Sequence, residues 1–91
     1  MTFQLIFTER AKKQFLGFDK FTQVQIGNYI DRHFSNGASV IDPRTHGRPL
    51  TGPLKGYWRY KIGKYRLICD INDNICTVIV VKAAHRREAY R

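Results

Sequence analysis

The chain has 91 residues, which is enough for one domain over residues 1–91 and leaves no room for a second. Its 16 Lys and Arg against 7 Asp and Glu give a formal net charge of +9. The surplus is uneven, because residues 46–91 hold 10 basic and 3 acidic side chains. A balance this basic indicates a polyanionic partner: a nucleic acid, an anionic membrane or an acidic protein.

Composition and patterning exclude several other classes. A hydrophobic fraction of 43% is too high for a disordered chain. The longest apolar run, residues 78–81, is too short to cross a bilayer, and the N-terminus lacks the basic and apolar regions of a signal peptide. We therefore expect a cytoplasmic protein with no membrane partner, in which Cys69 and Cys76 stay reduced.

The first half of the chain predicts one strand and two helices. Apolar residues alternate over residues 2–7, which is typical of a strand. Thr8 is the N-cap of a short helix that ends at Gly17. A second amphipathic helix is predicted from residue 19 or 20 to Ser35, before the stop signal Asn36-Gly37.

The second half predicts a sheet. Residues 38–56 are rich in Pro and Gly and indicate a loop. Strands are predicted over residues 57–62, 65–71 and 75–83, joined by a type II′ turn at Gly63-Lys64 and then by a three-residue loop. The order βααβββ predicts an α+β fold, in which two N-terminal helices pack on one face of a small, mainly antiparallel sheet.

Strand geometry places several cations on one face of the first hairpin. A two-residue turn at 63–64 aligns its strands so that Lys61 lies opposite Arg66 and Arg59 lies opposite Ile68, on the face away from the helices. Like charges opposed in a sheet are destabilising by roughly 0.2–1 kcal/mol. We therefore expect these cations to converge on a pocket for a phosphate, although an ordinary solvated sheet face has the same pattern.

The second loop fixes the expected positions of the cysteines. With three residues in this loop, Cys69 faces Thr77 and Asp70 faces Cys76. The thiols then point to opposite faces and cannot form a disulfide. Two cysteines without a histidine cluster make a poor zinc site, and no carboxylate cluster is present for a harder metal, so no cofactor is expected.

The C-terminal residues add further polar groups. The tail after the last strand is expected to bring His85, Arg86 and Tyr90 to the rim of the cationic hairpin. Imidazole transfers protons near neutral pH, guanidinium stabilises a phosphorane, and a phenol stacks on a base or binds a phosphate. His33 lies on the apolar stripe of the second helix and is expected to be half-buried, whereas the role of His46, in a loop, stays open.

This set of side chains suits metal-free cleavage of RNA. The substrate's 2′-hydroxyl attacks the adjacent phosphorus, a base takes its proton, cations stabilise the phosphorane, and an acid protonates the departing 5′-oxygen. DNA lacks that hydroxyl and would only be bound. The sequence has no P-loop or dinucleotide fingerprint, and no Ser or Cys nucleophile with a base at a recognisable spacing.

Two segments resemble the RelE/ParE superfamily of bacterial toxin–antitoxin toxins: LTGPLKGYWRYKIGKYRLI at 50–68 and VVKAAHRREAYR at 80–91. The opening FTERAKK also resembles the start of the family, so the likeness covers nearly the whole chain. The RelE-like branch implies an mRNA interferase, which cuts messages in the ribosomal A site without a metal. The ParE-like branch implies a non-catalytic inhibitor of DNA gyrase.

The RelE-like resemblance implies a role for each candidate residue. The two basic strand residues that bind phosphate and accept a proton fall on Arg59 and Lys61, the arginine that stabilises the transition state falls on Arg66, and the tyrosine that positions the substrate falls on Tyr90. Arg86 falls on a candidate acid or phosphate ligand, and His85 is the expected acid. Because a guanidinium stays protonated, Lys61 is the expected base. Further RNA contacts are expected from Lys55, Lys64, Lys82 and Arg87.

The leading interpretation is therefore a metal-independent endoribonuclease toxin. Its expected partners are mRNA in the ribosomal A site, ribosomal RNA and a cognate antitoxin. The alternatives are inhibition of DNA gyrase and a degenerate toxin that survives as a repressor subunit.

Overall fold

The chain folds into a six-stranded sheet with two α-helices on one face. The computed structural model describes residues 2–34, 38–39 and 42–90. The helices are α1 (Glu9–Leu16) and α2 (Lys20–His33), and short 3-10 helices span Pro43–His46 and Gly52–Leu54. The strands are β1 (Phe3–Phe7), β2 (Ala38–Ser39), β3 (Arg48–Pro49), β4 (Trp58–Ile62), β5 (Tyr65–Asn72) and β6 (Thr77–His85). The long elements confirm the predicted α+β order βααβββ.

The sheet has the strand order β2-β1-β6-β5-β4-β3. β1 runs parallel to β6, and the other neighbouring strands are antiparallel. The prediction of a loop over residues 38–56 missed β2 and β3, because each has two residues and no periodicity of its own. β3 matters for the site, since it pairs with β4 at the edge of the sheet.

Both helices begin at the caps that the sequence indicates. The Thr8 hydroxyl accepts a hydrogen bond from the Ala11 amide at 3.1 Å, and the Asp19 carboxylate accepts one from the Thr22 amide at 2.9 Å. Helix α2 ends at His33, whereas the predicted end at Ser35 and stop at 36–37 lie outside the described residues. Neither helix has the length and apolarity needed to cross a bilayer.

The main core lies on the side of the sheet that the helices cover, here called the helix face. Alternate residues of β4 and β5, such as Tyr60, Ile62 and Leu67, are buried there against Ala11 and Ile26 of the helices. Cys69 belongs to the same core, and its burial raises the pKa of its thiol. No disulfide joins Cys69 and Cys76.

The opposite side of the sheet is here called the tail face, because the C-terminal residues 86–90 fold back over it. Ala89 packs with Ile68 and Ala84 in a small second cluster. The Arg86 amide donates to the Lys64 carbonyl at 2.8 Å, which holds the start of this tail beside the β4–β5 turn. The tail face therefore has less apolar burial than the helix face and more room for charge.

The register of the first hairpin is confirmed. Ile62 pairs with Tyr65, Lys61 with Arg66 and Arg59 with Ile68. Gly63 has a φ of 55°, as the leading residue of a type II′ turn requires.

The predicted register of the second hairpin is wrong. The Asn72 side chain accepts hydrogen bonds from the Asn74 and Ile75 amides, and the connection runs over residues 73–76, with Cys76 at a φ of 47°. Cys69 therefore lies opposite Val80 instead of Thr77, and Asp70 lies opposite Ile79 instead of Cys76.

A β-bulge then changes the face of every later residue in β6. Cys69 pairs with Val80 but Ile68 pairs with Lys82, which leaves Val81 as an extra residue. Val78 and Val80 lie in the main core, and after the bulge Ala83 also lies there, while Ala84 lies in the tail-face cluster. The bulge thus decides on which face the end of β6 places its side chains.

Candidate functional site

A basic groove lies on the tail face, at the edge where β3 pairs with β4. It has a volume of about 570 Å³, and its lining residues are Thr45, His46, Gly47, Arg48, Arg59 and Lys61. Arg48 is the direct cross-strand partner of Arg59, and Lys61 follows two residues later on the same face of β4. The pairing of β3 with β4 therefore brings three basic side chains to one concave surface.

The charge of this basic groove is not compensated by nearby carboxylates. Among the described residues, ion pairs are formed by Arg44, which contacts Asp42 at 3.3 Å and Asp73 at 2.7 Å. Arg48, Arg59 and Lys61 have no carboxylate of the described residues within ion-pair distance. Opposed cations without a counter-ion cost stability and attract an anion to the space between them.

The C-terminal tail brings one aromatic side chain to the basic groove. The Arg59 guanidinium Nη1 donates to the Tyr90 hydroxyl at 3.2 Å. Tyr90 is 45% exposed, so its ring remains accessible to a ligand. The tail that carries it is fastened by the Lys82 ammonium, which donates to the Glu88 carbonyl at 2.9 Å. Of the predicted site residues, Arg59 and Lys61 thus line the groove, and Tyr90 contacts Arg59 without lining it.

Arg66 does not line the basic groove, which corrects the prediction that all three hairpin cations converge there. It is 8% exposed, and its Nη1 donates to the Gly63 carbonyl at 3.0 Å and to the Tyr65 carbonyl at 2.9 Å. Repulsion from the opposite Lys61 and these two carbonyls favour this orientation. Its buried Nε has no hydrogen-bond partner, and no ion pair among the described residues includes Arg66.

His85 lies on the helix face, away from Arg59 and Lys61. It pairs with Tyr65 across β5 and β6, and the two rings are in edge contact with centroids 5.4 Å apart. Its Nδ1 accepts a hydrogen bond from the Arg87 amide at 3.2 Å. The expectation that His85 reaches the rim of the cationic face is therefore wrong, because β6 continues past the predicted end at residue 83 and pairs His85 with Tyr65 of the helix face.

The other predicted basic residues surround the tail face at varied depths. Arg86 is exposed at the start of the tail, and Lys64, whose carbonyl it binds, is exposed in the β4–β5 turn. Lys55 and Arg87 are exposed, and Lys82 is half-buried. None of these side chains lines the basic groove.

The loop that forms the outer wall of the basic groove is held firmly. The Tyr60 hydroxyl donates to the Pro43 carbonyl at 2.7 Å, and Arg44 lies over the Trp58 ring at 5.8 Å in addition to its ion pairs. The His46 ring lies against His33 of α2, with centroids 4.0 Å apart. His33 is half-buried, as predicted, and burial is the main cause that lowers its pKa.

The whole chain matches a known family. The family model described as the ParE toxin of the type II toxin–antitoxin system, parDE, matches residues 5–90. The chain belongs to this toxin family. The predicted resemblance to the RelE/ParE superfamily is therefore confirmed.

Individual relatives agree with the family assignment. The toxin is 34% identical over 58 residues to Toxin RelG of Mycobacterium tuberculosis, which covers 64% of this chain and 67% of the relative. Its fold is similar to that of one chain in the solved RelBE2 toxin–antitoxin complex of the same organism. The TM-score is 0.75 at 22% identity, and the match covers 94% of this chain and 100% of the other. It is also similar to the isolated RelE toxin of E. coli, with a TM-score of 0.69, 21% identity and coverage of 98% and 86%.

Sequence reasoning missed two groove residues of this toxin, His46 and Arg48. The signal for Arg48 is weak, because a two-residue strand between Gly47 and Leu50 has no periodicity that indicates its pairing with β4. His46 ends a 3-10 helix whose Pro43 could have marked a turn, but nothing local indicates the contact with His33. Over the described residues, no group of three or more His, Cys, Asp or Glu is arranged to hold a metal ion.

Proposed function

We propose that this toxin is an mRNA interferase of the RelE-like branch, a ribosome-dependent endoribonuclease that cleaves mRNA in the A site and thereby inhibits translation. The observation that carries the proposal is the basic groove, where Arg59 contacts Tyr90 at 3.2 Å and Arg48 and Lys61 are unpaired by carboxylates. A site of this kind binds a phosphate and presents an accessible aromatic ring for a base.

The proposed chemistry uses the substrate's own hydroxyl and no metal. The 2′-oxygen forms a bond to phosphorus, the bond from phosphorus to the 5′-oxygen breaks, and the products end in a 2′,3′-cyclic phosphate and a 5′-hydroxyl. Lys61, in its uncharged amine form, takes the proton of the 2′-hydroxyl, because the neighbouring guanidinium groups do not give up theirs. Arg59 stabilises the charge of the phosphorane, and Tyr90 positions the nucleotide.

The buried and peripheral cations have supporting roles in this proposal. Arg66 adds positive potential beneath the tail face, where low solvent exposure strengthens its field. Arg86 and the basic residues around the groove contact RNA phosphates away from the scissile one; these residues are Lys55, Lys64, Lys82 and Arg87. With a net charge of +9, binding to ribosomal RNA depends strongly on salt.

The proposed partner that restrains the toxin is a cognate antitoxin. Solved structures of similar fold include the RelBE2 complex of M. tuberculosis and the RelE–RelB complex of Pyrococcus horikoshii, the latter with a TM-score of 0.65 and 20% identity. The basic surface of this toxin suits a partner segment rich in acidic residues. Since mRNA and ribosomes are the targets, we place its action in the cytoplasm.

Mapping of mRNA ends after induced expression tests the proposal. Wild-type toxin is expected to produce new 5′-hydroxyl ends within coding regions, whereas Arg59→Ala/Lys61→Ala is expected to leave messages intact. The matched control Lys13→Ala/Lys20→Ala removes the same charge from exposed positions of the two helices and should cut like wild type. Intact messages with wild-type toxin, or unchanged cutting by the groove variant, would contradict the proposal.

Inhibition of DNA gyrase is the second candidate. It is favoured by the matched family description, which is that of the ParE toxin. A supercoiling assay with purified gyrase separates the two functions, because a nuclease leaves supercoiling unchanged. Loss of supercoiling together with intact mRNA would replace the leading proposal with this one.

A further inference from the structure

The basic groove contains one imidazole, and it belongs to His46. This residue ends the 3-10 helix Pro43–His46 and lines the groove together with Arg59 and Lys61. The histidine that family resemblance favoured, His85, contacts Tyr65 on the helix face. Of these two histidines, His46 therefore lines the groove and His85 does not.

The position of His46 is fixed by contacts from α2. Its ring lies 4.0 Å from the His33 ring, which in turn lies 4.4 Å from the Tyr29 ring, measured between centroids. The Tyr29 hydroxyl also donates to the His46 carbonyl at 3.5 Å. An imidazole held between a helix and a groove loses little freedom when a substrate binds, which is what proton transfer requires.

The two histidines of this stack differ in their surroundings. Burial lowers the pKa of His33, and the charges of His46 and then Arg32 lower it further. His33 therefore stays neutral at neutral pH. Tyr29 and Arg32 of α2 act on the stack from the helix, while Arg48 of β3 and Arg59 and Lys61 of β4 line the groove together with His46.

Cleavage by 2′-hydroxyl attack needs a proton donor as well as a proton acceptor. The guanidinium groups of Arg48 and Arg59 hold their protons too tightly for this step, and Lys61 is assigned to the 2′-hydroxyl. Imidazole exchanges its proton closest to neutral pH. His46 is thus the side chain of the groove whose chemistry fits the remaining role.

We propose that His46 is the catalytic acid of this toxin, which donates its proton to the departing 5′-oxygen of the RNA while His33 positions its ring. This role rests on the proposed ribonuclease function. As the bond from phosphorus to the 5′-oxygen breaks, its electron pair stays on that oxygen and takes the His46 proton. The neutral imidazole then takes a proton from solvent and Lys61 returns its proton to solvent, so the cycle needs no further reactant.

Leaving-group substitution tests this role directly. Single-turnover cleavage of ribosome-bound mRNA is measured with an ordinary scissile linkage and with a 5′-bridging sulfur, whose thiolate leaves without protonation. His46→Gln is expected to cut the ordinary linkage about 10²- to 10⁴-fold more slowly than wild type and to cut the sulfur linkage at close to the wild-type rate. Lys61→Met should be slow on both linkages, because sulfur does not replace the base.

Two further variants keep the test decisive. If His46→Gln loses its thermal unfolding transition, the same measurement is made with the smaller side chain of His46→Asn. A variant that is slow only because its structure is disturbed stays slow on the sulfur linkage. His85→Gln examines the competing assignment, and rescue by sulfur in that variant would overturn the role of His46. Wild-type rates for His46→Gln on the ordinary linkage would also overturn it, whereas failure of wild-type toxin on both linkages would overturn the ribonuclease function itself.

Discussion

The two faces of the sheet carry opposite chemistry on the same strands. On the helix face, Tyr60 and Ile62 of β4 are buried in a core that includes both helices. On the tail face, Arg59 and Lys61 alternate with them and border a basic groove without carboxylate partners. Alternation in one five-residue strand therefore divides the molecule into a side that supplies stability and a side that can hold repelling charges.

The division explains how so small a domain retains uncompensated cations. Burial of a large apolar side chain contributes roughly 1.5–3 kcal/mol, which exceeds the roughly 0.2–1 kcal/mol lost when like charges face each other in a sheet. The tail face adds a small cluster of Ile68, Ala84 and Ala89, enough to hold the tail but not to cover the groove. Substitutions on the tail face should therefore change the rate of cleavage, and substitutions on the helix face should change the free energy of unfolding.

The largest effect is expected from Lys61→Met on the tail face. Loss of a general base lowers the rate of cleavage about 10²- to 10⁴-fold. Because Lys61 is exposed, the free energy of unfolding should change by less than about 0.5 kcal/mol. Single-turnover cleavage and urea denaturation measure the two quantities. Equal cleavage rates for Lys61→Met and the helix variant Lys20→Met would contradict the claim that the tail face carries the cleavage activity.

The reverse pattern is expected from Ile26→Ala on the helix face. Ile26 is fully buried between α2 and the sheet, so truncation should lower the free energy of unfolding by about 2–5 kcal/mol. Cleavage per folded molecule should stay close to wild type, because the groove is formed by the other face. Urea denaturation gives the first quantity, and cleavage below the unfolding transition gives the second. A stable Ile26→Ala protein that fails to cut would show that the faces are coupled.

A smaller effect is expected from Tyr90→Phe. This change removes the hydroxyl that accepts from Arg59 at 3.2 Å and keeps the ring. Loss of a hydrogen bond to a charged group costs about 1.5–3 kcal/mol, so cleavage should fall roughly ten- to a hundred-fold at low substrate concentration. The melting temperature should be nearly unchanged, since Tyr90 is 45% exposed. Cleavage at the wild-type rate would show that the Tyr90 hydroxyl has no role in the reaction.

The smallest effect concerns the histidine stack and pH. Burial, the His46 charge and the Arg32 charge, in that order, lower the pKa of His33 in the folded state. The unfolded chain therefore binds more protons, and stability should be lost as pH falls through the ordinary imidazole value of about 6.5. Melting temperatures between about pH 7.5 and 5.5 measure this loss, which His33→Gln should reduce. An equally steep loss in the variant would assign the pH dependence to other groups.

The hairpin and the faces of its cations could be predicted because their causes are local. Gly63 supplies the positive φ of a two-residue turn, and the turn fixes every pair between β4 and β5. The side-chain turn of Asn72 and the extra residue Val81 have no comparable signal, so the register of β6 was missed. His85 was assigned to the tail because the last strand was predicted to end at residue 83, whereas β6 runs to His85. Arg48 and His46 reach the groove through pairing and stacking with distant elements, which no local pattern shows.

The measurement that tests the central claim most directly uses ribosome-bound mRNA with a single 2′-deoxynucleotide at the position where wild-type toxin cuts. If the basic groove promotes attack by the substrate's own hydroxyl, the modified message should still bind but remain uncut, while the all-ribose message yields a 2′,3′-cyclic phosphate and a 5′-hydroxyl end. Cleavage of the deoxy-substituted linkage at the same position would contradict the account.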